Sequence, residues 1–195
     1  IDRLVLRHGC ALLSKWSTTA GHQHLRLAVN ISGRHLMDGD LVVDLIEASA
    51  ANGLISDRLE IEITEGELVA DMGRACEMLE QIRDMGVAVA VDDFGTGFSS
   101  MSYLRQLPID SLKVDRSFVS RAGSDEFDSE VIRAMVSFGR VLGVSVVAEG
   151  VETEEQLSYV RAQGCDRAQG YLLGRPMPFE DFDKLIRGTV PAGAR

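Results

Sequence analysis

The chain has 195 residues, 45% of them hydrophobic and 26% charged, with 30 Asp and Glu against 20 Lys and Arg and a formal net charge of -10. That mixture excludes a disordered or collagen-like chain, and the length suffices for one domain burying roughly 70% of its unfolded surface without a disulfide or metal staple. The longest apolar runs, residues 87–91 and 144–148, are far short of the ~20 residues that span a bilayer, so no membrane helix is expected.

In chain order, the first element is a helix over residues 3–16. It carries no basic-then-apolar leader and opens within a helical pattern, as a piece of a longer protein would. A strand over 25–31 and a helix over 39–52 follow, then a strand over 59–64. The next helix, 68–85, repeats Leu68, Met72, Ala75, Leu79, Ile82 and Met85 at helical spacing, and Gly86 is placed to stop it. A strand over 87–92, a helix over 99–106, a strand over 111–114, a helix over 127–142 and a strand over 144–149 come next. Thr153 and Gln156 form a capping box that opens a helix running to Gly164. The last strand is expected at 168–172, and residues 188–195 should fray. One domain over 1–188 with a flexible tail at 189–195 is the resulting division.

Strands alternating with helices at intervals of roughly 25 to 35 residues imply parallel strands joined by crossovers. Two architectures meet that pattern, an open doubly wound sheet and a closed (β/α) barrel, and the spacing does not choose between them. A closed barrel needs eight strands and about 250 residues. Six strand-like runs in 195 residues leave about two missing.

The polar residues at the strand ends say more. Asn30 closes the first strand, Glu62 and Glu65 the second, Asp92 and Asp93 the third; Lys113 and Asp115 lie in the fourth, Glu149 closes the fifth and Gln169 lies in the sixth. Parallel strands aim these ends at one face, where α/β folds build their sites. Taken singly, each carboxylate also reads as a solvated loop residue or helix cap, Asn30 as a turn residue, Lys113 as a snorkelling lysine and Gln169 as a loop amide. Six strands ending this way in succession argue against chance. Converging carboxylates repel unless cations neutralise them, which suggests a hard, oxygen-liganded ion such as Mg²⁺ or Mn²⁺. His8, His22, His24 and His35 show no ligand pairing, so zinc is not expected.

Neighbouring strand residues face opposite ways, so Asp92 and Asp93 can share a site only where their strand is ending. The following Phe94-Gly-Thr-Gly-Phe-Ser-Ser provides such an ending, although it has neither the Walker spacing nor the dinucleotide fingerprint. Cys10, Cys76 and Cys165 are odd in number and widely spaced, which fits reduced thiols in a cytoplasmic domain. The acidic balance argues against a nucleic-acid polymer as partner.

Val29-Asn-Ile-Ser, Glu62-Ile-Thr-Glu, Asp92-Asp-Phe-Gly-Thr-Gly-Phe-Ser-Ser, Leu112-Lys-Val-Asp-Arg-Ser-Phe-Val, Val147-Ala-Glu-Gly-Val-Glu-Thr and Gln169-Gly-Tyr-Leu-Leu-Gly resemble, in order, the motifs of the EAL-domain family. The resemblance implies an α/β fold of the modified TIM-like (β/α) barrel type and a bacterial cyclic di-GMP phosphodiesterase producing linear pGpG. It implies that Asn30, Glu62 and Asp92 bind one Mg²⁺ or Mn²⁺, with Asp92 bridging to a second held by Asp93 and Glu149. Lys113 would contact the attacking water or the phosphate and has been cast as a general base. Glu65 would brace the Asp92 loop, which is also implicated in dimerisation, and Gln169 would orient water or ligand. A homodimer and upstream sensory or GGDEF-type domains, in a parent that is itself cytoplasmic or membrane-anchored, are implied as well.

Phe98 stands where the family usually has Tyr, and Gly66 where Ser is common. The signature Glu-Ala-Leu is absent, and Glu65-Gly-Glu-Leu is no substitute because it ends a strand already matched. In the family that glutamate lies upstream of the helix with which this chain opens and completes the first metal site. The first strands are therefore expected to be missing from the chain, and the 195 residues alone to hydrolyse little. The rival reading is a catalytically inactive cyclic di-GMP receptor.

Overall fold

Ile61, Ile63, Val89, Val91, Leu112, Val114, Val146 and Ala148 recur at every second position of four strands, and none is more than 1% exposed. Such strands need cover on this face, and the crossover helices supply it. The computed structural model describes residues 1–19, 22–52, 56–69, 71–95 and 104–187. Among these, β1 (Leu27–Asn30), β2 (Leu59–Thr64), β3 (Ala88–Phe94), β4 (Ser111–Val114), β5 (Ser145–Ala148) and β6 (Arg167–Ala168) form one sheet in sequence order. Every pairing is parallel.

The sheet is curled into a half-barrel, and one ion pair shows why a flat sheet cannot describe it. Arg167 on β6 reaches Glu60 on β2 at 3.0 Å, with β3, β4 and β5 between them. Three intervening strands in a flat sheet would separate the two by about 19 Å, beyond an arginine's reach. The inner face therefore carries Glu60, Glu62, Asp92, Ser111, Lys113, Ser145 and Arg167, and the outer face carries the aliphatic residues.

The helices begin and stop on local signals. In α1 (Asp2–Thr18) the buried stripe is Leu6, Cys10, Leu13 and Trp16, and Trp16 stacks on Phe179 of α9 (Phe179–Ile186). Between β1 and β2 lie α2 (Gly33–Met37) and α3 (Asp40–Asn52). The helix expected over 68–85 is broken into α4 (Glu65–Val69) and α5 (Met72–Asp84), because the Asp71 side chain accepts from the Arg74 N–H and starts a new helix there. Gly86 ends α5 at φ 84. A short α6 (Arg116–Val119) precedes α7 (Glu126–Leu142), which is capped by Asp125 and ended by Gly143 at φ 74. Gly139 lets α7 approach β5: a Cβ there would lie 2.4 Å from Val146 Cγ2. The Thr153–Gln156 capping box opens α8 (Glu154–Gln163), as expected.

The strand expected at 168–172 is shorter and earlier, ending at Ala168. Beyond it the backbone packs on Val151, where a Cβ at Gly170 would lie 2.2 Å from the Val151 carbonyl oxygen, and the Leu172 N–H bonds to that same oxygen at 3.1 Å. The expectations for Thr96, Gly97, Phe98, most of the 99–106 helix and the 188–195 tail lie outside the described residues. No described helix is long and apolar enough to cross a membrane.

Candidate metal centre

Each inner-face position at the C-terminal end of the sheet is fixed by strand register. Asn30 pairs with Glu62, and Thr64 with Asp92. Lys113 pairs with Val147, which puts it one pleat below Glu149. Glu149 continues the ladder just past β5, its N–H bonding to the Val114 carbonyl at 3.1 Å.

The consecutive aspartates reach one site by a device different from the expected strand ending. β3 continues to Phe94, but its register with β4 shifts between Val91 and Phe94, and Asp93 adopts φ 52. A bulge with one residue in the left-handed region turns two neighbouring side chains toward the same side. One oxygen from each of Asp92, Asp93 and Glu149 then lies within 4.8 Å of the others.

Lys113 is the hub. Its Nζ lies 2.8 Å from Glu62 Oε2, 3.0 Å from Asp92 Oδ1 and 2.7 Å from Glu149 Oε1, and its side chain is 4% exposed. Burial opposes its charge, but Glu149 and Glu62 outweigh that and hold the ammonium well above the usual lysine value. Burial pushes Glu149 up to about 7, with Asp92 and Glu62 adding and Lys113 opposing. Glu62 is raised for the same reasons, burial first. Desolvation and then the Asp92 and Asp115 carboxylates raise Asp93.

Four carboxylates thus face one ammonium, a surplus of negative charge in a partly buried place. Like charges at this spacing stay ionised together only with further positive charge. The donors are all hard oxygens, so the set fits a divalent cation of the Mg²⁺, Mn²⁺ or Ca²⁺ type.

The remaining expected residues fall around this centre. Glu65 Oε2 accepts from the Gly95 N–H at 3.0 Å, joining α4 to the segment that follows Asp93. Asn30 is exposed on the inner side of β1. Gln169 is placed beside Glu149 by backbone bonds to Ala148 at 2.8 Å and from Val151 at 3.0 Å, with its side chain exposed. Asp115, singled out with Lys113 at the end of the fourth strand but given no role of its own, touches Asp93 and also caps α6. Its signal was available: it lies two residues past Lys113, so it shares that residue's face of the chain.

The family profile described as the EAL domain matches residues 1–176. The chain belongs to the EAL domain family. Among curated relatives of this EAL domain, the cyclic di-GMP phosphodiesterase NbdA of Pseudomonas aeruginosa is 41% identical over 187 residues, covering 96% of this chain and 24% of NbdA. The chain spans about a quarter of the length of the curated relatives it matches. The solved EAL domain of Mycobacterium smegmatis DcpA superposes with a TM-score of 0.90 at 37% identity, covering 98% of this chain and 86% of that one. The PaMucR phosphodiesterase, solved in complex with c-di-GMP, gives 0.86 at 38% identity over 92% of this chain and 78% of that one. These neighbours carry the same half-barrel within the EAL fold.

Proposed function

We propose that this EAL domain hydrolyses cyclic di-GMP to linear pGpG with Mg²⁺ or Mn²⁺, as part of a signalling protein. The observation that carries the reading is the set Glu62, Asp92, Asp93 and Glu149 gathered around Lys113, in a domain whose relatives include named cyclic di-GMP phosphodiesterases. Asn30, Glu62 and Asp92 would hold one ion, and Asp92, Asp93 and Glu149 the second. Such a pair of ions supplies an acidified water and a positive clamp for the phosphate.

The protein's own groups do the rest. Lys113, with its Nζ 2.7–3.0 Å from Glu62, Asp92 and Glu149, holds these carboxylates together and would lie against the water or phosphate that the ions bind. Glu65 holds the segment after Asp93 in place through Gly95. Gln169, exposed beside Glu149, offers an amide to water or ligand. An acidic domain binds a dianionic dinucleotide in this way because the cations reverse the local sign of charge. The greater length of the relatives supports partner domains in the parent protein, through which this unit would be regulated.

The rival reading is a receptor that binds cyclic di-GMP without turning it over. The test incubates the full-length protein with cyclic di-GMP and Mn²⁺ and separates the products. Linear pGpG that disappears in Asp92→Asn supports the enzyme. Tight binding without turnover assigns the receptor, and neither binding nor turnover sinks both. The 195-residue chain alone is expected to turn over slowly.

A further inference from the structure

Asn30 offers the centre a neutral amide on an exposed side chain at the end of β1. Its place depends on the backbone after it. The Ile31 N–H bonds to the Glu62 carbonyl at 2.9 Å, and the chain then turns into α2. Carboxylates from two other elements catch the next two amides. Asp2 Oδ2 accepts from the Ser32 N–H at 3.0 Å and the Ser32 hydroxyl at 2.6 Å. Glu67 Oε1 accepts from the Gly33 N–H at 2.7 Å.

Glu67 has a second hold. Its Oε2 accepts from the Thr64 hydroxyl at 2.8 Å and the Thr64 N–H at 3.3 Å. Thr64 stands two residues after Glu62 and pairs in register with Asp92. One carboxylate therefore fastens the turn that follows Asn30 to the strand end that follows Glu62. Gly33 is fitted to this contact: a Cβ there would lie 2.7 Å from Glu67 Cβ and 2.8 Å from Cγ. Every larger residue at 33 would push the clamp aside.

We propose that Glu67 is a positioning residue that fixes Asn30 beside Glu62 so that both face one cation, an inference that rests on the metal reading above. Glu67 touches no expected ligand itself. It acts through the backbone, as the outer partners of metal ligands commonly do.

Calorimetric titration of the full-length protein with Mn²⁺ alone reads the centre without substrate, and amide hydrogen exchange reads the clamp. Glu67→Ala should weaken Mn²⁺ binding roughly 10-fold or more and speed exchange at Gly33 and Thr64, while circular dichroism stays native. Glu67→Gln keeps an acceptor for Gly33 but turns an amino group toward the Thr64 N–H, so its loss should be intermediate. Gly33→Ala should reproduce Glu67→Ala. If Glu67→Ala fails to fold, these last two variants carry the comparison.

The decisive arm is the Asn30→Ala background, where Glu67→Ala should change Mn²⁺ affinity by less than about twofold because the ligand it positions is gone. A merely stabilising residue would cost the same in both backgrounds. Equal losses in the two backgrounds, or unchanged affinity in folded Glu67 variants, overturn the clamp alone. Failure of the unsubstituted full-length protein to bind Mn²⁺ overturns the metal reading and the clamp with it.

Discussion

Arg167 and Glu60 meet at 3.0 Å across the inside of the half-barrel, in a polar layer directly beneath the candidate metal centre. The same Glu60 accepts from the Ser111 hydroxyl at 2.7 Å, and Arg167 also donates to Ser145 at 3.0 Å. Glu60, Ser111 and Arg167 each precede by two residues an expected site residue, namely Glu62, Lys113 and Gln169. Because alternate residues share a face, each lies one pleat below its functional neighbour. The layer ties β2, β4, β5 and β6 at a fixed curvature.

Removing the arginine should therefore cost stability. Arg167→Met leaves Glu60, only 7% exposed, with Ser111 as its remaining hydrogen-bond partner among the described contacts. The expected loss is about 1–3 kcal/mol, limited because Arg167 itself is 43% exposed. Glu60→Met combined with Arg167→Met should recover much of it, since no charge is then stranded. Urea unfolding of the two variants checks the order, and a double variant weaker than Arg167→Met alone would contradict the account.

The same pair sets an acid limit. Burial raises the Glu60 pKa, but hydrogen bonds from Arg167 and Ser111 outweigh it and hold the group below its usual value. A depressed carboxylate binds protons more weakly in the folded chain, so its stabilising contribution is present above the unfolded value and is lost as pH falls through the folded one. Unfolding free energy followed from pH 6 downward should fall more steeply in the unsubstituted chain than in the Glu60→Met, Arg167→Met variant. Parallel acid limbs would remove Glu60 from the explanation.

Much of this arrangement was legible before any fold was known, and the parts that were not share a cause. The bounds of β2 and β4, the Gly86 stop and the Thr153 capping box are local, set by alternation or by residues three or four apart, and the structure reproduces them. The convergence of Glu62, Asp92, Asp93 and Glu149 was readable because parallel strands bring their ends together. What escaped depends on distant partners. The short α2 stands on Ser32, but its first turn is pinned by Glu67, 34 residues away in sequence. β6 stops early because the backbone at Gly170 is pressed against Val151. The Glu60–Arg167 pair spans 107 residues, and alternation marks each as inward-facing without saying that they meet. The left-handed Asp93 was likewise hidden, since Asp occupies ordinary strand geometry as readily.

Lys113 supplies countercharge to Glu62, Asp92 and Glu149, and this makes its removal conditional on metal. Lys113→Met leaves Glu62, Asp92 and Glu149 without their shared ammonium. Losing one partner of a buried ion pair typically costs about 3–5 kcal/mol. A divalent ion provides positive charge to the same oxygens, so saturating Mn²⁺ should shrink the deficit to a fraction of its value in EDTA. Thermal melts under both conditions measure the two gaps. Equal gaps would mean that the ammonium and the cation do not serve the same carboxylates.

Asp93 is the place where function and stability pull apart. At φ 52 it is the one described non-glycine residue in the left-handed region, a conformation that costs an L-residue about 1–2 kcal/mol, and its charge is disfavoured by desolvation and by Asp92 and Asp115. Asp93→Gly relieves both, against about 0.5–1 kcal/mol for the added freedom of the unfolded chain. In EDTA the variant should therefore be at least as stable as the parent, with a gain of up to about 1 kcal/mol. In Mn²⁺ the order should reverse, because the parent gains binding free energy that a centre short of one carboxylate does not: an ion at 100 times its dissociation constant adds about 2.7 kcal/mol. The two melting curves should thus cross as Mn²⁺ is added. A variant less stable than the parent even without metal would show that Asp93 is held by structure and not by the ion it faces.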